Sequence, residues 1–175
     1  MIKTESLKKT EILAPELELE FSPYIHNNNF ANNISLELEN ALRNAQGGVY
    51  YSNGDYYCGD TVGGLQSGYG VYKSYQGWIY AGNFIGGCFE GYGLIRFADG
   101  SFYKGFWRNG EQTGQGEKIT VDGNKLTGYF VNGKLKGNGT FVHRSGYRIE
   151  GSFVNGVIMG FGHAFFSNGE YVGTF

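Results

Sequence analysis

From Gly47 onward the chain alternates short stretches rich in aromatic and β-branched residues, such as "SFYKGFW" and "GLIRFA", with tight polar punctuation. The punctuation is Asn-Gly or Asp-Gly: Asn109-Gly110, Asn132-Gly133 and Asn155-Gly156 at one end, and Asn53-Gly54, Asp99-Gly100, Asp122-Gly123 and Asn168-Gly169 at the other. These pairs accept the positive φ that primed turns require, so the flanking stretches read as strands joined into hairpins. Before Gly47 the period changes. Ile34, Leu38, Ala41, Leu42 and Ala45 recur at helical spacing, with Glu37, Glu39, Asn40, Arg43 and Asn44 on the other face. This predicts a helix from about 33 to 45. Further upstream "ELELEF" alternates strictly, with Leu17, Leu19 and Phe21 on one side and Glu16, Glu18 and Glu20 on the other. It reads either as a stripe that pairs or docks in a groove, or as an acidic tail.

The strand pattern is a repeat. "YCGDTVGGLQSGYG" from Tyr57, "YAGNFIGGCFEGYG" from Tyr80, "YKGFWRNGEQTGQG" from Tyr103, "LTGYFVNGKLKGNG" from Leu126 and "IEGSFVNGVIMGFG" from Ile149 start 23 residues apart every time. Partial units begin at 47 and 171, giving five full units and two partial ones. Positions 3, 8, 12, 14 and 21 of the unit are Gly in all five copies, and position 5 is Phe84, Trp107, Phe130 and Phe153 with Thr61 as the exception. With strands about 4.8 Å apart, such an array makes an all-β, elongated antiparallel meander of stacked β-hairpins on the order of 50 Å long. The paired glycines at positions 12 and 14 are expected where rings from positions 1 and 5 lie over bare backbone. Repeat arrays need modified ends, so the helix is expected to pack on the first hairpin as a cap.

Composition places a boundary near Gln46. All 31 glycines lie in 47–175, and both prolines, Pro15 and Pro23, lie in 1–46. Residues 1–46 thus form an N-terminal extension and residues 47–175 the repeat domain. The net charge of −2 does not mark a nucleic-acid binder. No apolar run reaches the roughly 18 residues of a membrane span, no secretory signal opens the chain, and Cys58 and Cys88 suit a reducing compartment. A cytoplasmic location is expected.

The pattern Y-x-G-x-[FW]-x-x-G-x-x-x-G-x-G every 23 residues closely resembles the MORN repeat (membrane occupation and recognition nexus). The resemblance implies an extended, groove-bearing sheet of the kind found in scaffold, ciliary and cytoskeletal proteins, one that binds other proteins or anionic phospholipid and often associates with itself. Leu126 and Ile149 depart from the leading Tyr, and Thr61 from the ring at position 5.

Catalytic chemistry is not legible. No Gly-x-Gly carries the sixth-position Gly of a dinucleotide fingerprint, no Walker sequence occurs, and His26, His143 and His163 match no zinc spacing. The reading is therefore a non-enzyme without cofactor or metal. Its function is expected to be that of a protein-interaction scaffold, with a groove or edge holding a helix or peptide of a cytoskeletal or ciliary partner. The groove is expected to be lined by Tyr57, Tyr80, Phe84, Tyr103, Trp107, Phe130 and Phe153. The alternative is a peripheral module on anionic membrane, because Tyr103 to Arg148 holds eight Lys/Arg against three acidic residues, among them Lys134, Lys136, Arg144 and Arg148. Val157, Ile158 and Met159 form the only wholly apolar connection between paired strands, and with Phe89 they are candidate contact residues for a partner or lipid. The array breaks off five residues into a unit at Phe175, so self-association through the C-terminal hairpins is expected.

Overall fold

The computed structural model describes residues 27–175; the "ELELEF" stripe and His26 lie outside the described residues. One helix, α1 (Asn27–Asn44), precedes the strands β1 (Val49–Tyr50), β2 (Tyr56–Val62), β3 (Leu65–Lys73), β4 (Ile79–Ile85), β5 (Cys88–Arg96) and β6 (Phe102–Arg108). These are followed by β7 (Glu111–Ile119), β8 (Lys125–Val131), β9 (Lys134–Val142), β10 (Arg148–Val154), β11 (Val157–Phe166) and β12 (Gly169–Thr174). All twelve strands form one antiparallel sheet in chain order, the expected meander of stacked hairpins. At one end of the hairpins the turn chemistry is as read: Asn109, Asn132 and Asn155 adopt φ of 49°, 49° and 53°, each followed by a Gly with positive φ. At the other end only the Gly of Asn53-Gly54, Asp99-Gly100, Asp122-Gly123 and Asn168-Gly169 takes a positive φ.

Each of the five full repeat hairpins carries the same irregularity. Gly82 pairs with Gly93, but the next residue, Asn83, pairs with Glu90, so Gly91 and Tyr92 are extra on β5. Gly91 takes a φ of 66°, which a side chain would resist. The bulge recurs at Gly59/Asp60, Gly105/Phe106, Gly128/Phe130 and Gly151/Phe153. Bulges of this kind bend the strand and sharpen its twist.

Alternation gives the sheet two unlike faces. On the first, the ring of each leading tyrosine lies flat over the paired glycines: a Cβ built on Gly93 would meet Tyr80 Oη at 2.3 Å, and one on Gly116 would meet Tyr103 Oη at 2.6 Å. Where Leu126 and Ile149 replace the tyrosine, Leu135 and Ile158 fill the same space, at 2.9 Å from a Cβ on Gly128 and 3.0 Å from one on Gly151. This face carries the main core, made of Tyr57, Tyr80, Phe84, Ile95, Tyr103, Trp107, Phe130, Leu135 and Phe153.

Successive hairpins are also tied at their turns. Gly87, Gly110, Gly133 and Gly156 donate their N–H to the carbonyls of Gln66, Phe89, Gln112 and Leu135, one hairpin back. Each turn therefore folds over position 10 of the preceding unit.

The second face carries α1, which differs from expectation in extent and place. It begins at Asn27, not near 33, and it lies across the sheet instead of closing the edge of the first hairpin. Ile34 and Leu38 are buried against Val71, Ile79, Ala81, Leu94, Phe102 and Ile119, which come from β3 to β7. Lys104 on β6 pairs with Glu37 at 2.7 Å, and Tyr56 Oη donates to the Ala45 carbonyl at the other end of the helix. The physical reason is that β3 to β7 are apolar on this face and would otherwise expose it.

Candidate functional site

The seven aromatics expected to line a groove are core, and of them only Trp107 also borders the open trough described below. Tyr57, Tyr80, Phe84, Tyr103, Trp107, Phe130 and Phe153 are all buried, with Tyr80 and Tyr103 at 0 % exposure. Their rings pack edge-on in series: Tyr57 on Phe84 at 5.4 Å, Tyr80 on Trp107 at 5.6 Å, Tyr103 on Phe130 at 5.2 Å. A one-layer sheet has few other sources of apolar burial, so the rings are consumed in holding hairpins together. Burial drives the phenols of Tyr80 and Tyr103 well above their ordinary range, because the ionised form would lose its water.

Phe89 is likewise not a protruding contact. It stacks on Tyr80 with centroids 3.8 Å apart and meets Trp107 edge-on at 5.2 Å. It occupies position 10, the place covered by the next turn, as do the buried Gln112 and Leu135. Sequence reading missed this position because the residue that covers it comes from the following unit.

The apolar run 157–159 falls at the start of β11, not in a loop; the turn is Asn155-Gly156 alone. Strand alternation splits it. Ile158 packs against the core, while Val157 and Met159 point to the helix-bearing face at 61 % and 54 % exposure. Around them Val154, Phe161 and Val172 are also exposed, Phe161 at 69 %. Ile34 and Leu38 of α1 are buried with residues of β3 to β7, away from this end of the sheet. Beside the helix the same face shows a row of exposed rings, Tyr69, Tyr92, Phe106 and Tyr129, with Tyr92 edge-on to Phe106 at 5.6 Å. Partial burial, with Glu37 and Glu117 nearby, pushes the Tyr92 phenol up to about 12.

The basic residues do not merge into one field. Lys104 and Lys125 are ion-paired to Glu37 and Glu117, and Arg148 pairs with Glu150 at 3.3 Å while lying 4.3 Å over the Phe165 ring. Lys134 and Lys136 are exposed at the start of β9, and Arg144 sits in the β9–β10 turn, its N–H bound to Asn124 Oδ1 at 3.0 Å. His163 contacts Glu170 at 2.9 Å and His143 stacks on Tyr147 at 4.5 Å. Among the described residues no cluster of His, Cys, Asp or Glu is arranged to hold a metal, and no helix is long and apolar enough to cross a membrane.

On the first face an open trough of about 590 Å³ runs between neighbouring hairpins. Phe89, Ile95, Phe97 and Trp107 form its apolar wall, and Gln112, Lys118 and Lys134 its polar side. It is the concave feature that the buried aromatics leave open.

Five consecutive segments, 57–79, 80–102, 103–125, 127–146 and 150–173, match the MORN repeat family. No curated protein matches the chain. Among solved structures it is similar to the SAS-4 (dCPAP) TCP domain of Drosophila melanogaster, solved in complex with a proline-rich motif of Ana2 (dSTIL). That likeness has a TM-score of 0.40 and 13 % identity, and it covers 73 % of this chain and 83 % of that one.

Proposed function

The chain belongs to the MORN-repeat family, and from that premise we propose that it is a non-catalytic protein-interaction scaffold holding a helix or peptide of a cytoskeletal or ciliary partner. The observation that carries this reading is the uncovered apolar surface of the last hairpins, where Val154, Val157, Met159, Phe161 and Val172 are each about half exposed or more. Exposed apolar side chains gathered on the adjacent strands β10 to β12 support a contact with a partner there. The turn and the pairing between β10 and β11 do not require it, because the same positions 9 and 11 are polar in two of the other hairpins, at Glu111 and Thr113 and at Lys134 and Lys136. A second copy of the chain is a further occupant for this surface, by self-association through the C-terminal hairpins.

The test is an affinity capture with the wild-type chain and the Val157→Lys/Met159→Lys variant in parallel, with bound proteins identified and the mass of each form measured in solution. The reading expects partners, or a mass above one chain, that the variant loses. Identical capture and identical mass for both forms would remove this surface as the contact. Co-sedimentation with anionic vesicles at low salt is the companion measurement, and pelleting that depends on Lys134 and Lys136 would transfer the function to a membrane surface.

A further inference from the structure

Two contacts fix the direction in which α1 crosses the sheet. Tyr56 at the start of β2 donates to the carbonyl of Ala45, just past the C-terminal end of the helix, while Lys104 on β6 pairs with Glu37, eight residues earlier. The helix therefore runs against the strand order. The ten residues from Glu37 back to Asn27, about 15 Å of helix, carry its first residue roughly three strands beyond β6. The chain that precedes Asn27 thus arrives on the helix-bearing face near β9, with the open surface of β10 to β12 before it.

That surface has a distinct make-up. Val157 and Met159 flank the core-packed Ile158 on β11 as Lys134 and Lys136 flank the buried Leu135 on β9, so alternation puts all four on the helix-bearing face. Val154 pairs with Val157 between them, and Val172 lies on the next strand, paired with His163. The apolar residues are about half exposed or more, and both lysines are exposed at their β9 border. Unlike Lys104 and Lys125, neither lysine is ion-paired among the described residues.

The complement is in the chain itself. In "ELELEF" Leu17, Leu19 and Phe21 alternate with Glu16, Glu18 and Glu20, so an extended chain there shows three apolar side chains on one side and three carboxylates on the other. Phe21 precedes Asn27 by six residues, which span at most about 20 Å, whereas β9 and β12 are about 14 Å apart. The trough between hairpins is on the opposite face, so the same six residues would have to pass around the strand ends to bring the stripe there. We infer that residues 16–21 dock on the β10 to β12 surface of their own chain, with Leu17, Leu19 and Phe21 against Val154, Val157, Met159 and Val172 and the glutamates facing Lys134 and Lys136. This rests on the reading of that surface as a contact surface and adds its regulation. A tethered segment competes at an effective concentration on the order of millimolar, so an outside partner gains the surface by displacing it.

The experiment attaches a nitroxide to Ser22→Cys in the full chain, with Cys58→Ser and Cys88→Ser removing the other two thiols, and follows methyl NMR signals. The methyls of Val154, Val157, Met159 and Val172 are expected to lose most of their intensity, while those of Val49 and Val62 at the far end of the sheet keep theirs. Leu17→Ser/Leu19→Ser/Phe21→Ser should restore the lost intensity, and Lys134→Glu/Lys136→Glu should restore part of it. Undiminished signals on β10 to β12, loss confined to trough residues such as Ile95, or loss seen only between spin-labelled chains and separate isotope-labelled ones would each overturn the proposal. In the affinity capture the serine variant should retain more partner than the wild type. Partners lost by Val157→Lys/Met159→Lys together with undiminished methyl signals would strike this inference and leave the proposed function standing.

Discussion

Substituting Gly93 by Ala tests the packing on which the array depends. The new Cβ would stand 2.3 Å from Tyr80 Oη and 2.6 and 2.7 Å from two ring carbons, where relaxed contacts need about 3.5 Å or more. The ring has nowhere to retreat. It is fully buried, stacked at 3.8 Å on Phe89, edge-on to Phe84 at 5.1 Å, and it covers Gly82 as well, where a Cβ would meet its Oη at 2.5 Å. Either the ring leaves its place, a loss comparable to deleting a large buried aromatic at about 3–5 kcal/mol, or the strands part. We expect Gly93→Ala to cost about 3–5 kcal/mol. Gly63→Ala is the control, since Gly63 needs its φ of 59° but has nothing within 4 Å of a Cβ, and it should cost only about 1–2 kcal/mol. The assay is urea unfolding followed by tryptophan fluorescence, because Trp107 lies 5.6 Å from Tyr80 and Trp78 lies 5.9 Å from Phe89. The double variant Tyr80→Ala/Gly93→Ala should be no less stable than Tyr80→Ala alone, because no ring remains to clash. Additive losses, or a cost for Gly93→Ala no larger than for Gly63→Ala, would refute the reasoning.

Three further outcomes follow from the same geometry. Ile158→Lys should unfold the last hairpins, because Ile158 packs on the core and replaces a missing ring over Gly151, whereas Val157→Lys/Met159→Lys should leave the circular dichroism spectrum and melting temperature unchanged. The phenols of Tyr57, Tyr80 and Tyr103 are raised by burial, so their contribution is complete below the unfolded value near pH 10 and is lost as pH rises through the folded values; thermal melts should be flat to about pH 9 and fall steeply beyond it. Asp55 is held below the usual carboxylate range by the Tyr72 hydroxyl first and the Tyr75 N–H next, so its contribution is present above about pH 4 and disappears on acidification; Asp55→Asn should abolish that part of the acid dependence in the same melts.

The repeat, the hairpins and the turn residues were legible because each is local: an Asn-Gly pair dictates its own turn, and a 23-residue period displays itself. What the sequence hid were contacts between units. Position 10 looks like a loop residue when each hairpin is taken alone, yet the turn one unit on closes over it through the Gly133 N–H to Gln112 carbonyl bond and its equivalents. That is why Phe89 read as a tip and turned out to be a packing residue; Ile158, with no described turn over it, is placed against the core by its pairing with Phe153. The placement of α1 was missed for a similar reason, although a signal existed. On the helix-bearing face the strands change character along the chain, from Val71, Ile79, Leu94 and Phe102 to Thr140, Arg148 and Glu150, and the helix packs on the apolar first stretch. The earlier start at Asn27 came from an asparagine-rich turn whose weak helix propensity is outweighed by continuation of a docked helix.

The helix laid across the strands also acts as a gauge. Its 18 residues measure about 27 Å, and one helical turn advances 5.4 Å, close to the 4.8 Å from strand to strand. Each added or removed turn would therefore shutter or unveil roughly one strand of the face beneath it. In such a design the extent of open surface is written in the length of a single helix, and repeats can be gained at the far end without altering the part that is already closed.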